Sequence, residues 1–145
     1  MTNLTIKHNG YTITTDKSLM DVTAIHKWLS EESYWVKDIA LHNVKKSFDN
    51  SFCIGILLDN EQVGYGRLIT DYASFAYMAD VYVKAEHRGK GLAKMMIKIM
   101  LSQDWVMGLR GVMLGTRDAH ELYRQFGFTE LPDPDRFMKW SNQNS

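Results

Sequence analysis

The hexapeptide Arg88-Gly89-Lys90-Gly91-Leu92-Ala93 stands between an apolar run, Val81-Tyr82-Val83, and apolar residues at helical spacing, Leu92, Met96, Ile99 and Met100. A strand, a basic glycine loop and a helix start, in that order, build an anion site. The first backbone N–H groups of a helix lack intrahelical partners, and the helix dipole places about half a positive charge there. Gly89 and Gly91 let the backbone curl and approach a ligand closely, while Arg88, Lys90 and Lys94 raise the local positive potential. The chemistry implied is binding of a phosphate-bearing cofactor. A nucleoside-triphosphate loop would need Gly-x-x-x-x-Gly-Lys and then Ser or Thr, but Gly89-Lys90 is followed by Gly91. A dinucleotide fingerprint, counted from Gly89, would end on a glycine where Lys94 stands.

What the spacing does contain is Arg88-x-x-Gly91-x-Ala93, and a second segment, Ala119-His120-Glu121-Leu122-Tyr123-Arg124-Gln125-Phe126-Gly127-Phe128, begins about thirty residues further on. The first resembles the acetyl-CoA signature of the GNAT superfamily of N-acetyltransferases, Gln/Arg-x-x-Gly-x-Gly/Ala. The second is similar to that superfamily's C-terminal Ala-x-x-Leu-Tyr-x-x-x-Gly-Phe. The resemblance, to a small stand-alone bacterial-type member, implies acetyl transfer from acetyl-CoA to a primary amine by direct attack in a ternary complex. The acceptor would be a small molecule or a protein or peptide amino group. A non-catalytic acyl-CoA sensor or interaction module is the alternative.

The same resemblance implies roles. The pantetheine arm is expected along Val81, Tyr82 and Val83, bonding backbone groups of Val81 and Val83, with the Val81 N–H polarising the thioester carbonyl. The pyrophosphate is expected on N–H groups from Arg88 through Gly89, Lys90, Gly91 and Leu92 to Ala93. The Arg88 side chain either contacts phosphate or braces the loop. Tyr123 is the implied general acid for the departing thiolate, since a phenol stays protonated at neutral pH; its other reading is an aromatic packed on the cofactor helix. Asp80 is the candidate to deprotonate the amine, with a water chain as the alternative, or else it pairs with an arginine or holds a loop. Ala79 departs from polyamine-acetylating relatives that carry a second carboxylate there. Acceptor recognition is expected from Glu31-Glu32-Ser33-Tyr34-Trp35 and Asp71 to Tyr77, which mix acids with aromatics. No metal site is expected, because the histidines have no ligand spacing. His87, beside the glycine loop, and His120, three residues before Tyr123, could each approach CoA, with solvation the expected reading for both. Cys53 lies in the apolar run Phe52–Leu58 and reads as a packed small hydrophobe.

These groups need elements to position them. Tyr11–Thr15 alternates as a first strand. Ser18–Asp21 reads as a capping box before a helix to about Ser30, with Leu19, Val22, Ile25 and Leu29 on one face. A shorter helical pattern runs Ile39–Phe48. Phe52–Leu58, Val63–Thr70 and Phe75–Val83 form an expected antiparallel meander, with the glycine-loop helix ending near Ser102 or Gln103. Gly111–Gly115 is a short buried strand, Ala119–Gln125 a short helix, and Phe128–Leu131 with Phe137–Trp140 a final strand pair. The fold class is α+β. The resemblance implies one domain over residues 1–145, with a mixed, mostly antiparallel sheet splayed at its fourth and fifth strands and about four helices around it.

Seventeen basic and seventeen acidic side chains cancel over 145 residues, which disfavours general nucleic-acid binding, whose affinity rests on phosphate neutralisation. Apolar residues at 45% and charged ones at 23% are globular averages. No secretory leader or membrane-length apolar run is read, and one cysteine fits a reducing compartment, so a cytoplasmic protein without membrane contact is expected. The resemblance makes a homodimer an open expectation.

Overall fold

The sheet begins earlier in the chain than the alternation of Tyr11–Thr15 suggests. In the computed structural model, which describes residues 2–142, Thr5–His8 (β1) and Tyr11–Thr14 (β2) form an antiparallel hairpin. Its turn is Asn9-Gly10, with φ of 49° and 86°. Two positive φ values at Asn-Gly are the requirement of a two-residue type I′ hairpin, so the signal stood in the sequence. The added strand shifts the count of every later strand by one.

The helix start also differs from a Ser18 capping box. Lys17–Leu19 is a 3-10 turn capped by Asp16, and the first α-helix, Val22–Glu32 (α1), is capped by Asp21, whose carboxylate accepts the Thr23 and Ala24 N–H groups. Asp16 and Asp21 each satisfy orphan amide donors with a charged oxygen. Leu19 is outside the helix and exposed. Leu41–Asp49 (α2) follows, then strands Phe52–Leu58 (β3), Glu61–Thr70 (β4) and Ala76–Val83 (β5) in an antiparallel meander. The glycine loop leads into Leu92–Leu101 (α3), and Val112–Met113 (β6) pairs parallel with β5. The six strands lie in sequence order in one mixed sheet.

Ile25, Trp28 and Leu29 of α1 and Val44 and Phe48 of α2 sit at helical spacing and pack with Cys53, Tyr65 and Tyr82. Leu92, Met96, Ile97 and Met100 form the buried face of α3, which lies against β3, β4 and β5. A Cβ at Gly66 would sit 3.3 Å from Met100 Cε, placing α3 on the face opposite Tyr65. No helix among the described residues is long and apolar enough to cross a membrane.

Backbone contacts divide the chain into two compact units, Met1–Gly115 and Thr116–Ser145. The second contains His120–Arg124 (α4) and a 3-10 turn at Pro134–Arg136. The expected strand pair at 128–131 and 137–140 is not present among the described residues. Pro132 and Pro134 remove two donors there, and Pro134 opens the 3-10 turn. Val112–Met113 is shorter and less buried than expected of Gly111–Gly115.

Candidate active site

β5 carries the first feature of the site. It pairs with β6 only at Ala76↔Val112 and Tyr77↔Met113, yet it runs on to Val83. From Met78 onward its edge on the β6 side has no strand partner among the described residues. Backbone groups on such an edge need hydrogen bonds if covered, and an amide-bearing extended ligand supplies them as an added strand would.

The second feature is a bulge in the same stretch. Tyr65 pairs with Tyr82 and Arg67 with Ala79, so Asp80 and Val81 together oppose Gly66. Asp80 takes φ of 56°, a left-handed conformation that aspartate tolerates better than most residues. Bulges break the alternation of a strand and re-aim side chains. Here the Val81 side chain lies on the α3 face, 3.4 Å from where a Gly66 Cβ would be, while the Asp80 carboxylate reaches Arg67 on the other. Tyr82 is buried with its ring stacked on Trp28 at 3.8 Å, so only its backbone can meet a ligand.

Asp80 is held from two sides. Oδ1 accepts Trp35 Nε1 at 2.7 Å and Oδ2 accepts Arg67 Nε at 2.6 Å, with the carboxylate side chain 7% exposed. Arg67 Nη1 donates to Ser51 Oγ at 3.0 Å. The arginine-paired reading of Asp80 is therefore realised, and each carboxylate oxygen keeps a further lone pair for an incoming donor. Neither Arg67 nor Ser51 stood out in the sequence. An arginine inside an apolar strand was the available signal, because a charge there requires a partner.

The loop after β5 follows from its glycines. Gly89 and Gly91 take φ of 79° and 76°, and a Cβ on either would meet nothing within 4 Å. Their role is therefore conformational, and the space in front of the loop is open. Gly91 occupies the N-cap of α3 without a side-chain cap, so the leading amides of α3 face outward unsatisfied. Leu92 is buried in the core and offers the loop only its N–H. Arg88 Nε donates to the Val83 carbonyl at 2.9 Å, the bracing arrangement, which ties the loop to the end of β5.

Tyr11 fastens the loop from the other side. Its hydroxyl lies 2.8 Å from His87 Nδ1 and receives Lys90 Nζ at 3.2 Å, and the Tyr11 side chain is buried. An ammonium can only donate, so the phenol oxygen accepts from Lys90 while it also bonds the His87 ring nitrogen. His87 is thus engaged rather than simply solvated. A cavity of about 340 Å³ lined by His8, Asn9, Tyr11, Lys90 and Leu92 adjoins this clasp.

In the second unit, Tyr123 sits on α4 with its ring edge-on to Phe128 at 5.8 Å. Phe128 N–H donates to the Tyr123 carbonyl and Gly127 N–H to that of Arg124, with Gly127 at φ 93°. That pair of bonds is a Schellman closure, and it accounts for the Tyr-x-x-x-Gly-Phe spacing: glycine supplies the left-handed residue and the following aromatic packs back. His120 is exposed. Cys53 is buried with Sγ 3.2 Å from the Tyr65 hydroxyl, and burial pushes its thiol up, away from nucleophile behaviour. Among the described residues no group of three His, Cys, Asp or Glu is placed to hold a metal.

A mixed sheet opened along β5, with a bulge beside the opening and a glycine loop feeding a helix at its end, is the architecture of a GNAT acyltransferase. Residues 22–128 match the model of the acetyltransferase (GNAT) family, and the chain belongs to that family. A Gibberella zeae protein assigned as an acetyltransferase is 32% identical over 85% of this chain and 83% of its own. The crystal structure of a GNAT-family protein from Xanthomonas campestris pv. campestris superposes with a TM-score of 0.88 at 40% identity, covering 94% of this chain and 95% of that one. A protein from Clostridium acetobutylicum assigned as an acetyltransferase and solved with acetyl-CoA shares the fold, with a TM-score of 0.62 at 14% identity over 90% and 94% of the two chains.

Proposed function

We propose that the protein transfers an acetyl group from acetyl-CoA to a primary amine in a ternary complex. The observation that supports this most is the open β5 edge running directly into the Arg88–Ala93 loop, which fits an extended amide-bearing arm ending in a pyrophosphate. Backbone N–H groups from Gly89 to Ala93 would take the phosphates, with Arg88 as brace. Val81 N–H, at the bulge, would polarise the thioester carbonyl.

The acceptor amine, almost wholly protonated at neutral pH, must lose a proton before it attacks. We assign that proton to Asp80, directly or through one water, using the lone pairs that Trp35 and Arg67 leave on its carboxylate. The neutral nitrogen then bonds to the acetyl carbon and sheds its second proton to solvent, the carbon–sulfur bond breaks, and Tyr123 protonates the departing thiolate and regains a proton from solvent. The test is acetyl-CoA-dependent thiol release over a panel of amines and peptides. Release is expected to fall about 100-fold or more in kcat with Tyr123→Phe, with little change in KM. CoA binding without release for any acceptor would assign the chain to acyl-CoA sensing instead.

A further inference from the structure

Inside the sheet, the two faces of the β4–β5 pair are treated differently. Leu68 and Met78 on the α3 face are fully covered. On the other face, Ile69 pairs with Tyr77 and Arg67 with Ala79, and Ile69 and Tyr77 are 44% and 41% exposed although both strands are interior to the sheet. The buried cluster under α1 and α2 takes in Tyr65 and Cys53, and Ile69 lies beyond it on β4. Trp35 borders the bare stretch through its bond to Asp80, with Tyr34 edge-on to it at 5.0 Å. Tyr77 reaches toward Gly115, where a Cβ would come within 3.2 Å of its hydroxyl.

This strip, from Trp35 past Ala79 to Tyr77 and Ile69, ends at the bulge where the β5 edge opens. Its charge is nearly nil. Asp80 is matched by Arg67. Asp71 turns its carboxylate into its own hairpin, accepting the Ser74 hydroxyl and the Ala73 and Ser74 N–H groups. Glu32 lines a separate cavity with Lys27 and Lys84. A polycation needs several uncompensated carboxylates, whereas this strip presents aromatic and branched apolar surface beside one paired carboxylate.

We infer that the acceptor is a monoamine on an aromatic or branched apolar skeleton, lying over Ile69 and Tyr77 against Trp35 with its amine at Asp80. The inference rests on the acetyl-transfer reading and names its substrate class. In the reaction the ammonium loses one proton to Asp80 and on to solvent, the C–N bond forms as nitrogen loses its second proton, the C–S bond breaks and the thiolate takes a proton, so amide, CoA thiol and one proton are the products.

Thiol release is compared for 2-phenylethylamine and tryptamine against spermidine, kanamycin and a lysine-containing peptide. The arylalkylamines are expected to give kcat/KM at least tenfold higher. Tyr77→Ala and Ile69→Ala are expected to raise the arylalkylamine KM about five- to tenfold with KM for acetyl-CoA unchanged. Calorimetric binding of 2-phenylethylamine to the CoA-loaded protein, tighter than spermidine and weakened by Tyr77→Ala, tests the strip without turnover, so a failure of the transfer reading is separable. Preference for a polycation or peptide, or no effect of Tyr77→Ala on binding or KM, overturns the inference. So does a dimer by light scattering that Tyr77→Glu dissociates, which would assign the strip to a second copy.

Discussion

The proposed donor side and the proposed acceptor side of this molecule are built from different materials. The donor side, the Arg88–Ala93 loop and the β5 edge, works through backbone: two glycines at positive φ, uncapped helix amides and an unpaired strand edge. The acceptor side works through side chains that arrive from separate elements, with Trp35, Ser51, Arg67 and Asp80 joined in one chain of hydrogen bonds. A backbone site is specified by neighbours in sequence and serves any ligand carrying the same phosphates. A side-chain site is specified by packing, and it can differ between relatives that share the donor.

Breaking the acceptor side at its centre is expected to have the largest effect. Asp80→Ala leaves the Arg67 charge uncompensated where its side chain is 15% exposed, and should cost about 3–5 kcal/mol in denaturant unfolding. Asp80→Ala with Arg67→Met should recover most of that loss; two additive losses would show that the pair is not a unit. On the donor side, Gly91→Ala forces an L side chain to φ of 76°, a strain of about 1–2 kcal/mol. KM for acetyl-CoA should then rise roughly tenfold while acceptor KM stays constant. Equal changes in both would mean that the two sides are not separable.

A smaller effect is expected at the clasp. Tyr11→Phe keeps the buried ring but removes the bonds to His87 and Lys90, each worth about 1 kcal/mol net. Acetyl-CoA KM should rise about three- to tenfold with kcat retained, and an unchanged KM would reduce Tyr11 to packing. The smallest effect belongs to Asp71, whose carboxyl is held well below the usual carboxylate range by the Ser74 hydroxyl and the Ser74 and Ala73 N–H groups. A depressed carboxyl stabilises the fold above its unfolded pKa, near 4, and the contribution fades as pH falls through the folded value. The stability advantage of wild type over Asp71→Asn, read from unfolding midpoints, should therefore be full at pH 7 and shrink below pH 4. A constant advantage would detach the hairpin from this carboxylate.

Much of the frame was legible. β3 spans Phe52–Leu58 as its apolar run indicates, and α3 begins where the loop glycines end. Where the reading departed, competing local chemistry won. Asn9-Gly10 made a hairpin of a segment too polar to look like a strand, and Asp21 rather than Ser18 offered the cap. Pro132 and Pro134 broke the alternation expected near the C-terminus.

The sequence by itself determined the glycine loop proposed to hold the donor, because strand, glycine turn and helix start are settled within sixteen consecutive residues by backbone conformation. Only the tertiary structure decided that Asp80 would sit at a bulge between Arg67 and Trp35, the latter 45 positions away. A carboxylate's partners depend on which strands and loops converge on it. No local pattern encodes that convergence.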